Sequence, residues 1–86
     1  MKIDADPAEL RAFAASLRQI LQEIESLNSK ATGAMSRVSG SWKDPRQAKT
    51  SQQVKTAVAS TKKFSLEMQQ VEQYVSKLAS HLEATP

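Results

Sequence analysis

The chain has 86 residues and a mass of 9.5 kDa, with 12 Lys and Arg against 9 Asp and Glu, a formal charge of +3 and a pI near 9.5. It has no Cys and one His, which excludes a disulfide framework, a Cys-based metal site and a His-pair site or relay. One domain of this size is close to the limit at which a single chain buries enough apolar surface to offset its conformational entropy, so a partner is expected.

The chain opens Met1-Lys2-Ile3-Asp4-Ala5-Asp6, with no apolar run behind its one Lys. No Sec-type signal peptide is expected, and no apolar run in the sequence is long enough to span a bilayer. Asp6-Pro7-Ala8-Glu9 then reads as an N-cap, a Pro at the first helical position and an acidic residue able to reach back to the cap. From about Pro7 to residue 39 apolar side chains recur three and four apart, at Leu10, Phe13, Ala14, Leu17, Ile20, Leu21, Ile24, Leu27, Ala31, Ala34, Met35 and Val38. That spacing predicts an amphipathic helix with one apolar stripe. Asn28 is the clearly polar residue on the stripe; a buried amide there sets register at some cost in stability, whereas at a wet margin it does neither.

Ser39-Gly40-Ser41-Trp42-Lys43-Asp44-Pro45 holds the single Trp, one of two Gly and one of three Pro. Gly ends helices cheaply, Asp44 is suited to cap the next helix, and Pro45 has its φ preset for a first helical position. A turn is predicted over about residues 40–44. Trp42 is expected to lie against both helix ends and to satisfy its one N–H there.

A second helix is predicted over about residues 45–83, opened by Asp44, Pro45 and a Gln47 able to close a capping box. Its stripe runs Val54, Ala57, Val58, Thr61, Phe64, Met68, Val71, Val75, Leu78, Ala79 and Leu82, and Thr85-Pro86 is read as its stop. Two such helices joined by a tight turn pair antiparallel, because only then do both stripes face each other. The fold class is all-α, an antiparallel helical hairpin that dimerises into a four-helix bundle.

Residue i is expected roughly opposite residue 86 minus i. The open end then brings Leu10, Phe13, Leu17, Ile20 and Leu21 against Phe64, Met68, Val71, Val75 and Leu78, a dense set, and Ile24 is read as packing with them in the hairpin or dimer. Near the turn, small residues such as Ala31 and Ala34, with Met35 and Val38, meet Thr50, Ser51, Val54, Ala57 and Val58, a sparse one. Leu66 and Tyr74 fall off the stripe and read as isolated surface residues or as an outward contact. His81 reads as a solvated side chain or as a favourable cation at the negative helix end.

Lys43, Arg46, Lys49, Lys55, Lys62 and Lys63 read as a solvated surface, since no aromatic residues interleave with them, and nucleic-acid binding is not expected. No Cys–His pair, Gly-rich phosphate loop or facing carboxylate pair is present; Glu23 and Glu25, two apart, lie on different helix faces. An enzyme is not expected, nor a cofactor or metal.

A short, Cys-free chain with two long amphipathic helices and a central Trp turn resembles the WXG family, the early-secreted-antigen-like substrates of type VII secretion. The likeness spans the chain, including its opening Ile3-Asp4-Ala5-Asp6-Pro7-Ala8-Glu9-Leu10. The turn motif is Trp42-Lys43-Asp44, with Asp in place of the family's Gly. The resemblance implies a homodimer or a pairing with a related hairpin chain, recognition by a secretion ATPase, and a cytoplasmic protein exported folded without a cleaved signal. The family's export signal carries an acidic residue four positions after a Tyr. Here Tyr74 is followed by Leu78, a degenerate signal that implies travel with a signal-bearing partner or through a system that reads something else. A structural subunit of a secretion needle or filament is the alternative, and a basic helical nucleic-acid binder a third.

Overall fold

The computed structural model describes residues 4–84, and both helices in it start at their capping aspartates. At the first, the Asp6 side chain accepts from the Ala8 N–H at 2.9 Å and the Asp6 carbonyl accepts from the Leu10 N–H at 3.0 Å. Helix α1, Pro7–Ser39, runs from there with Pro in its first turn. Glu9 contributes its charge at the positive end of the helix rather than a return bond to the cap among the described residues.

Helix α1 ends by a route different from the one expected. Gly40 is right-handed, with φ −66° and ψ −31°, so its freedom to take positive φ is unused. What the position needs is space, because a Cβ there would lie 3.3 Å from the Arg37 carbonyl oxygen. The terminal carbonyls are satisfied by the chain as it turns: Ser41 and Trp42 N–H donate to the Val38 oxygen at 3.1 and 2.9 Å. Helix α2, Arg46–Ala84, then returns antiparallel to α1, giving an all-helical hairpin 66 Å long and 19 by 13 Å across. The stop read at Thr85-Pro86 and the opening Met1-Lys2-Ile3 lie outside the described residues.

Cross-hairpin bonds fix the register. Partner numbers sum to 86 at the turn, where Gln47 meets Ser39. They sum to 89 for Asn28 with Thr61, to 90 for Arg18 with Glu72, and to 94 for Arg11 with Glu83. Side chains lean toward the N-terminus of their own helix, so across an antiparallel pair two long ones meet only when the α2 partner lies farther toward the open end. The lean accounts for sums above 86, which rise from the turn to the open end.

The buried residues are Ala14, Leu17, Val75 and Ala79, all in the open half; none near the turn reaches that state among the described residues. Two alanines let the helices approach closely, and Leu17 and Val75 fill the contact line beside them. The dense set is only partly consumed by this pairing. Phe13, Ile20, Phe64 and Val71 remain 49, 44, 47 and 37 % exposed, while Leu10, Leu21, Ile24, Met68 and Leu78 are half-buried, as are Val54 and Val58 nearer the turn. A two-helix pair has one line of contact, and side chains well to either side of it stay outside.

Candidate functional site

The turn is a small hydrogen-bonded unit built around the Asp44 carboxylate. Asp44 Oδ2 accepts from the Trp42 indole Nε1 at 2.9 Å, and Oδ1 accepts from the Arg46 backbone N–H at 2.8 Å. The Arg46 guanidinium reaches the same carboxylate through Nε at 3.2 Å and Nη2 at 3.3 Å. Asp44 thus caps α2, holds the indole and pairs with a cation at once, while Trp42 is half-buried and Lys43 between them is exposed. Sequence reasoning assigned Asp44 only the cap.

Gln47 departs from its expected role. Instead of closing a capping box, its Nε2 donates to Ser39 Oγ at 2.6 Å, and Ser39 Oγ donates on to the Met35 carbonyl at 2.8 Å. This relay ties the last turn of α1 to the first turn of α2. It needs a Gln long enough to cross the turn, and Ser39 supplies both an acceptor and a donor.

The guanidinium of Arg46, then the Trp42 N–H, then the Arg46 backbone N–H lower the Asp44 pKa below the ordinary aspartate value. A carboxylate depressed in the folded state contributes stability that is full above its unfolded pKa and is lost as pH falls through its folded pKa. Acidification below about pH 4 is therefore expected to change Trp42 fluorescence as the indole's acceptor loses its charge. In Asp44→Asn that acid transition should be absent; a transition at the same pH in both proteins would assign it to another group. Glu83, held low by its bond to Arg11, titrates in the same direction but at the far end of the hairpin.

The two long edges of the hairpin differ. One carries the cross-helix polar contacts, Arg11 to Glu83 and Ser80, and Arg18 to Glu72, whose Oε1 also accepts from Ser76 Oγ. On α1 the residues about 160° round from Arg11 and Arg18, at ~100° per residue, are Phe13 and Ile20. Leu27 and Val38 continue that row, 62 and 45 % exposed. On α2, Phe64 and Val71 lie about 80–120° round from Glu72 and Glu83 by the same count. The polar edge therefore leaves an apolar edge opposite it, drawn from both helices. Tyr74 and Leu66, 67 and 62 % exposed, sit outside this row. Leu78, four after Tyr74, is half-buried, beside the exposed Tyr74 ring.

Charge is also divided, but along the length of the hairpin. Between Asn28 and Val58 six cations (Lys30, Arg37, Lys43, Arg46, Lys49 and Lys55) face one carboxylate, Asp44, for a formal +5. The rest of the described chain holds eight carboxylates and five cations, for −3. No described helix is long and apolar enough to cross a membrane. Comparison with family models, with curated proteins and with solved structures finds no match.

Proposed function

We propose that the chain is a WXG-like helical hairpin that works as a dimeric binding, effector or chaperone-type module of a type VII-like secretion system. The observation that carries the dimer is its surface. The chain exposes 6658 Å², against about 5000 Å² for a compact monomer of its mass. The excess, about 1,650 Å² on one chain, is about twice what a standard interface removes from each partner and falls within the range of an obligate homodimer. The apolar edge of Phe13, Ile20, Leu27, Phe64 and Val71 is the surface a second hairpin would cover to complete a four-helix bundle. Head-to-head alignment would set two +5 halves side by side. The opposite alignment sets each against a −3 half, and it is the one proposed for a self-pair. A related chain with the same apolar edge would take the place of the second copy in a heterodimer.

The Trp42–Asp44 clamp supports the family assignment in a specific way. The family's Gly is replaced by a residue that anchors the Trp and starts α2, so the replacement preserves a turn with an ordered Trp. Export is tested in a host with the cognate machinery. The unaltered chain expressed by itself should be secreted poorly, and Leu78→Glu or co-expression of a signal-bearing partner should raise export. Efficient secretion of the unaltered chain, unchanged by Tyr74→Ala, would overturn the role given to Tyr74 and Leu78.

A further inference from the structure

The polar edge is not closed along its whole length. Between Leu21 and Gln69 at one end and Ser39 and Ser51 at the other, it opens into a continuous groove, in one part about 1030 Å³ and toward the turn about 420 Å³. Its α1 wall continues the row of Arg11 and Arg18 through Ser29 and Ser36, and its α2 wall continues the row of Glu72 and Glu83 through Ser65 and Val58. The groove thus faces away from Phe13, Ile20 and Phe64, and one hairpin seated on the apolar edge leaves it open. Half-buried Met35, Val54 and Val58 form its apolar floor, and Leu66 stands 62 % exposed on its rim.

We infer that this groove binds an amphipathic helix of a second, different protein, one whose apolar face meets the floor and whose flanks carry Asp or Glu. The shape fits a helix because two antiparallel helices leave a straight channel between them, in which a third packs by ridges into grooves. The charge selects an acidic one. Lys55 and Lys62 flank the channel and hold no ion pair among the described residues, Glu25 is the one carboxylate lining it, and the groove runs into the +5 half of the hairpin. A second copy of this chain is the poorer occupant, since its own groove rim would bring Lys55 and Lys62 against the same pair. The inference does not depend on export.

The test uses the full chain, isotope-labelled, with two synthetic amphipathic helices as probes, identical in their Leu face but with Glu flanks in one and Lys flanks in the other. The Glu helix should shift the amide signals of Thr32, Ser36, Val58 and Lys62 and leave those of Phe13, Ile20 and Phe64 in place. Lys55→Glu with Lys62→Glu should weaken its binding by about tenfold, the scale of two exposed charge pairs reversed, and Ser36→Trp should block it while the particle mass stays unchanged. Equal binding of both probes, no shift, or shifts along the apolar edge would overturn the inference. Loss of the dimer in Ser36→Trp would overturn it too, by making the groove the self-association face.

Discussion

Phe13→Glu combined with Ile20→Glu is expected to convert the proposed dimer into a monomer with reduced helix content. Both side chains lie on the apolar edge, 49 and 44 % exposed in the single hairpin. In the proposed bundle each buries an apolar area worth roughly 1.5–3 kcal/mol. Glutamates there remove that gain and add the cost of two unpaired carboxylates in a closing interface, so association should weaken by about a thousandfold or more, near 4 kcal/mol. The control is Leu66→Glu with Tyr74→Glu, which changes two more exposed residues off that edge and should leave the mass unaltered. Sedimentation of the two double variants at matched concentration checks the prediction. Equal dimerisation of both would remove the apolar edge from the account.

Leu17→Ala should have the largest effect on folding of any single truncation. Leu17 is 6 % exposed, one helical turn from Ala14 at 1 %, and an alanine cannot move in to fill the space it leaves. A Leu to Ala change at such a site costs about 2–5 kcal/mol through lost transfer energy and a residual cavity. That is a large share of the roughly 5–15 kcal/mol that holds a domain of ordinary stability. Thermal unfolding followed by circular dichroism should show the variant mostly unfolded near physiological temperature, whereas Leu66→Ala should stay within about 0.5 kcal/mol of the parent. A Leu17→Ala protein as stable as the parent would mean that the open half is not the core of the hairpin.

The helices were legible because their signals are local. Asp6 before Pro7, Asp44 before Pro45, and apolar spacing of three and four require no knowledge of what lies across the hairpin. Antiparallel pairing and the richer open end followed from the same stripes. What could not be read was how a broad stripe is shared out. Phe13 and Leu17 are four apart on one stripe, yet Leu17 is buried and Phe13 half out, because one helix covers only a narrow line of another.

The cross-hairpin pairs of Arg11 and Arg18 were hidden by register. They need a lean of long side chains that a simple count from the turn leaves out. In the turn, the sequence offered Asp44 as a cap and Gln47 as half of a capping box, both backbone roles. The structure gives Asp44 the indole of Trp42 as well, and sends Gln47 to Ser39. Asp two residues after Trp, with Arg two residues further on, is a signal that could have suggested the clamp.

The central claim is that this hairpin is half of a bundle and is completed by one further hairpin. Light scattering across a dilution series of the unaltered chain, with helix content recorded at each point, tests it most directly. The account predicts a particle of twice 9.5 kDa that loses helix as it dissociates. A fully helical, cooperatively unfolding monomer would contradict it, and so would a mass that grows without limit as concentration rises, which is the behaviour of a filament subunit.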